Sequence, residues 1–297
     1  MQLIAFILIY PILWLISLLP FRFLYALSDA VCFILYRLVG YRKHVVKSNL
    51  RLVFPEKNDA EINSITKKFY SHLCDLFLEM IKTLSISKSE LKARFKVKNI
   101  DTLLELEKEN TSVVLLYGHY ASYEWSIVIQ SLVTLPGLGV YKRIANPYFD
   151  KLAHKIRSKY NTELVATKHV VGRLEELHKA KDHRMMAFIS DQSPKLKPNN
   201  VWLPFMGIEI PCFIGAEITA KNYNYPVGCL KIDKVKRGHY VAEIVTITKD
   251  PNRVQPFEIT KTFNSVLEAQ IKERPELYLW THKRWKHKDE APMAQTI

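Results

Sequence analysis

The residues best equipped for chemistry stand in the run VVLLYGHYASYEW, residues 113–125, where an apolar segment ends in Gly118 and His119 and Glu124 follows five positions later. An imidazole beside a carboxylate is the equipment of a general base, because the carboxylate fixes the tautomer and stabilises the imidazolium that forms when the ring takes a proton. On one straight helix, residues five apart point about 140° away from each other. The pair therefore requires His119 in a turn and Glu124 in the first turn of the helix that follows, from Ser122. A hydroxyl activated this way would attack directly, with a rate gain of roughly 10²- to 10⁴-fold and no Ser or Cys nucleophile. Taken alone, the same spacing also fits a histidine that is merely satisfied at a helix start.

Two further polar clusters follow predicted strands: Tyr141, Lys142 and Arg143 after LGV, and Asp191 and Gln192 after MAFIS. Ligands of open α/β sheets sit beyond the carboxyl ends of the strands, so three strand ends converge on one face. Arg157, in a helix that follows Asn146 and Pro147, is placed to aim a guanidinium at a phosphate or a developing oxyanion. Asp191 alone would also serve as a turn cap, and each basic residue as a solvated charge. The remaining histidines form no His-x3-His or H-E-x-x-H cluster, and no metal is expected.

Positioning these residues is the work of alternating strands and helices. After an amphipathic helix that opens at Asn58 with a capping box to Glu61, short apolar runs alternate with helical segments. TSVVLLY, LGVYK, ELVAT, RMMAFIS and VWLPF read as strands. The runs PVGCLKID and HYVAEIVTI, joined by KVKRG, read as an antiparallel hairpin at one edge. The expected fold is α/β, with a mixed, largely parallel central sheet flanked by helices.

With 43 Lys and Arg against 29 Asp and Glu, the formal charge of +14 favours anionic partners. Residues 1–20 carry no charged residue and approach the roughly 20 apolar residues that span a bilayer. The stretch 21–39 is apolar but interrupted by Arg22, Asp29 and Arg37, which suits an interfacial helix. The basic cluster Arg37, Arg42, Lys43, Lys47 and Arg51 belongs on the cytoplasmic side under the positive-inside bias. The division expected is 1–40 as membrane anchor and 41–297 as the catalytic domain, the other reading of residues 1–40 being a buried hairpin of a soluble protein. Cys32, Cys74, Cys212 and Cys229 are scattered singly, as in a reduced body. The basic and aromatic tail WTHKRWKHK fits head-group contact. Nucleic acid is not an expected partner, since no helix-turn-helix, RNA-binding sheet motif or P-loop is present.

The stretch GHYASYEW resembles the H-x4-D/E motif of glycerolipid acyltransferases, and its surroundings resemble the late acyltransferases of lipid A biosynthesis, the lauroyl and myristoyl transferase family of Gram-negative bacteria. VYKRIANPYFD, IRSKY, FISDQSP, LPFMG and PELYLWTHKRWK extend the match over nearly the whole chain. The resemblance implies a glycerolipid acyltransferase-like fold. It implies His119 as catalytic base, Glu124 as its partner, and Arg157 and Asp191 as further active-site residues. It assigns substrate contact to Gly118, Tyr120, Lys142, Arg143, Asn146, Gln192, Phe205, Gly207 and Glu217. It also implies an acyl thioester donor on acyl carrier protein, no cofactor, and a glycolipid acceptor at the cytoplasmic face of the inner membrane. A glutamate where relatives carry aspartate, and the aromatic spacer YASY, leave a phospholipid, aminolipid or other amphiphile open as acceptor. A noncatalytic lipid-binding protein is the reading from another class.

Overall fold

The computed structural model describes residues 2–108 and 111–290; of the expected catalytic range, 109–110 and 291–297 lie outside them. The uncharged opening forms helix α1 (Gln2–Leu18), and Pro20, which cannot donate a backbone hydrogen bond, separates it from α2 (Phe21–Phe33). A π-helical turn, Ile34–Val39, extends α2 until Gly40 stops it with φ of 63°. Then come α3 (Lys43–Val53) and α4 (Asp59–Lys82). The expected capping box opens α4: Asn58 accepts from the Glu61 amide at 3.0 Å and its own amide donates to the Glu61 carboxylate at 2.9 Å.

Helix α5 (Lys88–Arg94) leads into strand β1 (Phe95–Val97), followed by α6 (Asp101–Lys108) and β2 (Val113–Tyr117). A 3-10 helix, Tyr123–Ser131, precedes β3 (Gly137–Tyr141), α7 (Pro147–Arg157), β4 (Thr162–Ala166), α8 (Val170–Lys179) and β5 (Met185–Ile189). Beyond lie β6 (Val201–Phe205), β7 (Ile208–Cys212), α9 (Gly215–Tyr223), β8 (Val227–Lys236), β9 (His239–Thr248) and α10 (Glu258–Glu273).

The seven-stranded sheet runs β1-β9-β8-β2-β5-β3-β4, with every neighbouring pair parallel except β8 and β9. The largely parallel, helix-flanked sheet is the one expected, with three differences. The β8–β9 hairpin is interior, because β1 pairs with β9 and takes the edge. VWLPF is a strand but leaves the sheet, pairing with β7 in a separate hairpin turned by Met206 and Gly207, both at positive φ. The segment after Ser122 is a 3-10 helix rather than an α-helix.

Strand β2 shows why its sequence is an unbroken apolar run. It lies between β8 and β5, and Val113, Val114, Leu115 and Leu116 are all buried. A strand covered on both faces has no polar side to present. The chain termini behave oppositely. Ile4, Leu8, Ile12 and Leu15 of α1 and Phe23 and Phe33 of α2 are exposed. Trp280 and Trp285 of the basic tail, with Arg284 between them, are buried. Among the described residues no single helix is long and apolar enough to cross a membrane, and α1 has 17 residues.

Candidate active site

Register delivers the central contact. Tyr117 of β2 faces Ile189 of β5 in a parallel pair, so two residues past each strand end bring His119 beside Asp191. The imidazole Nδ1 lies 2.7 Å from Asp191 Oδ1, and the His119 amide donates to Oδ2 at 3.0 Å. Asp191 is 2% exposed and His119 17%, so the carboxylate is sealed while one edge of the ring stays reachable. Burial is the largest influence on the ring and opposes its protonation. The charge and hydrogen bond of Asp191, aided by the charge of Glu124, outweigh it and raise the His119 pKa above its ordinary 6.5. Burial pushes Asp191 upward, but His119 outweighs it and the carboxyl lies below its ordinary 3.8. The carboxylate therefore fixes Nδ1 as the protonated nitrogen and turns Nε2 outward.

The expected direct His119–Glu124 pair is replaced by this one. Both carboxylate oxygens of Glu124 are taken by Arg157, the last residue of α7: Nε donates to Oε2 at 3.1 Å and Nη2 to Oε1 at 2.5 Å. The backbone explains the redirection. Ala121, fully buried, takes a left-handed φ of 49°, a conformation that costs a residue with a Cβ about 1–2 kcal/mol. The chain turns there, and Glu124 enters the 3-10 helix beside Arg157 while keeping its electrostatic reach to His119. Tyr123, between them, packs its ring edge-on against the imidazole, with centroids 4.8 Å apart.

The turn is held by the C-terminal segment rather than by a solvent-facing tail. The Leu279 amide donates to the His119 carbonyl at 3.1 Å, and the Ala121 amide to that of Leu277 at 2.9 Å. On the Asp191 side, the Ser193 amide donates to His282 Nε2 at 3.1 Å. Burial pushes the His282 pKa down to about 4, which keeps this ring neutral and able to accept. Head-group contact is thus not available to Trp280, Arg284 or Trp285, because burial in the core has claimed them. Tyr123 and His282 were overlooked in the sequence, where each is one ring among many in an aromatic spacer and a basic tail.

The other expected contact residues fall into three groups. Gln192 joins the site, its Nε2 lying 3.2 Å from His119 Nε2. Lys142 and Arg143 are exposed beyond β3, while Asn146 caps α7, accepting from the Tyr148 amide at 3.0 Å and donating to the Gln2 carbonyl at 3.1 Å. The rest do framework work. Gly118 lies close under the Leu267 side chain, whose methyl would stand 2.8 Å from a Cβ and would have to shift. The Tyr120 hydroxyl donates to the carbonyls of Gln270 and Arg274. Phe205 stacks on Trp285, Gly207 completes the β6–β7 turn, and buried Glu217 accepts from the Thr260 amide and hydroxyl.

A reachable imidazole backed by a sealed carboxylate, with a guanidinium close by, is the equipment of an enzyme that activates a hydroxyl for group transfer. The chain belongs to the bacterial lipid A biosynthesis acyltransferase family, whose model matches residues 2–287, and it is an acyltransferase. It is 23% identical over 291 residues to the lipid A biosynthesis lauroyltransferase of Escherichia coli K12, covering 94% of this chain and 90% of that one. It is 22% identical over 283 residues to the palmitoleoyltransferase of the same organism, covering 93% and 89%. A Haemophilus influenzae lipid A biosynthesis acyltransferase is 24% identical over 252 residues, covering 84% and 79%.

Proposed function

We propose that this chain transfers a fatty acyl group from the thioester of acyl carrier protein to a hydroxyl of a lipid A precursor. His119 is the base, with Asp191 as its orienting partner. The acceptor hydroxyl displaces Gln192 from Nε2, loses its proton to the ring and attacks the thioester carbonyl. The thiolate leaves and takes up a proton, for which the imidazolium is the nearest donor. Glu124 occupies the Nε and Nη2 edge of Arg157, which directs Nη1 toward the negative charge that develops on the carbonyl oxygen or toward an acceptor phosphate.

The observation that carries this reading is the 2.7 Å contact between His119 Nδ1 and Asp191 Oδ1, because it turns the reactive nitrogen outward. The exposed apolar side chains of α1 and α2 support a seat on the cytoplasmic face of the inner membrane, where an amphiphilic acceptor is presented. The positive surplus of the chain suits an acidic carrier protein and an anionic glycolipid. The purified full chain, given a panel of acyl carrier protein thioesters and lipid A precursors, adds one acyl chain by mass spectrometry. Transfer to a phospholipid or aminolipid instead would replace the acceptor, and no transfer to any amphiphile would overturn the reading.

A further inference from the structure

Two hydrogen bonds bracket the short segment that carries Tyr123 and Glu124, and both end on Glu79 of α4. The Ser122 hydroxyl donates to the Glu79 carboxylate, Oγ to Oε2 at 3.4 Å. The Trp125 indole donates to the Glu79 carbonyl oxygen at 3.1 Å. Between these anchors stand the ring that packs against His119 and the carboxylate that holds Arg157.

Glu79 is fully buried, and it is a costly residue to bury unless its oxygens are satisfied. They are satisfied by phenols from two other elements. Tyr25 of α2 donates to Oε1 at 2.9 Å, and Tyr240 of β9 donates to Oε2 at 2.9 Å. Asp75, one turn earlier on α4, has Arg237 at 2.6 Å and Lys234 at 3.3 Å. Among the described residues no cation stands within ion-pair distance of Glu79. Its partners are hydroxyls, each with a fixed direction, so it sets geometry where Asp75 balances charge.

We propose that Glu79 is a positioning residue for the acyl transfer read above, holding residues 122–125 at the height that presents Tyr123 to His119 and Glu124 to Arg157, and tying that segment to α2 through Tyr25. Glutamine at this position keeps the shape but replaces one acceptor oxygen by an amide that cannot accept from a hydroxyl.

The test compares Glu79→Gln with the wild-type full chain, by steady-state kinetics with an acyl carrier protein thioester and by the NMR resonance of the His119 Cε1–H, on the ring that packs against Tyr123. Glu79→Gln lowers kcat by about tenfold or more with KM held within about twofold, as misplacement of a catalytic group does, and it moves the His119 resonance. Tyr25→Phe moves both in the same direction by less. An unchanged kcat, or a lower kcat with the His119 resonance unmoved, overturns the assignment. Should Glu79→Gln fail to fold, Ser122→Ala carries the same two readouts. A wild-type chain that acylates nothing defeats the functional reading, while the resonance still decides the role of Glu79.

Discussion

The site contains two acid–base pairs that are close in space and differently made. Glu124 and Arg157 meet in a two-bonded fork whose arginine is 31% exposed. Such a fork fixes a guanidinium in a plane and leaves it in touch with ligand. Asp191 and His119 meet across neighbouring strands, with the carboxylate sealed at 2% exposure. A sealed carboxylate beside a titrating ring does different work, setting which nitrogen holds the proton and how readily the ring becomes charged. Nearness along the chain pointed to Glu124, whereas the carboxylate in hydrogen-bond contact with the histidine is Asp191. The partner was decided by strand register, which places residues 72 positions apart side by side.

If the Asp191–His119 pair performs the proton transfer, the largest loss comes from the ring itself. His119→Ala lowers the acyl transfer rate by about 10⁴-fold, the upper range for a general base, as measured by kcat/KM with a fixed thioester donor. Asp191→Asn preserves shape but removes the charge that selects the tautomer, and costs about 10³-fold, or about 4 kcal/mol of transition-state stabilisation. Arg157→Lys retains the positive charge but loses the fork, with a loss of about 10²-fold if the guanidinium serves the oxyanion. A loss for Arg157→Lys equal to that for Asp191→Asn would remove the distinction between the pairs.

The pH dependence sharpens the same comparison. The base must be neutral, so kcat/KM falls as pH drops through the His119 pKa, which Asp191 holds above 6.5. In Asp191→Asn this acidic limb moves to lower pH. Stability runs the other way: the increment from the raised His119 pKa is complete below the ordinary histidine value and lost as pH rises through the raised one, while that from the lowered Asp191 pKa is lost only as pH falls through the depressed carboxyl value. A pH series of rate and thermal unfolding therefore shows activity gained where the His119 increment of stability is given up.

The alternating strands and helices were legible because their periodicity is local, and so were the capping box of α4 and the strand-end positions of His119, Asp191 and Gln192. Local patterns also suggested that VWLPF joins the central sheet and that the β8–β9 hairpin lies at its edge. VWLPF leaves the central sheet because it pairs with the adjacent β7 across a two-residue turn, and the hairpin loses the edge because the distant β1 pairs with β9. Composition misled at the C-terminus, where Arg284 is buried by donating to the Pro211 carbonyl at 2.8 Å and the tryptophans around it complete the core. A basic aromatic run reads as a surface until such acceptors are known. The roles of Glu79, Tyr123 and His282 depend on contacts across 43 to 161 positions of chain or on ring packing, and no spacing in the sequence encodes them.

The central claim is that Asp191 orients and tunes the base while Glu124 serves Arg157. Titration of the His119 imidazole by NMR, in wild type, Asp191→Asn and Glu124→Gln, tests it most directly. Both substitutions remove a carboxylate charge that favours the imidazolium, and the account predicts the larger fall in pKa, with loss of the Nδ1–H preference, for Asp191→Asn. A larger fall in Glu124→Gln, with the tautomer kept in Asp191→Asn, would contradict it.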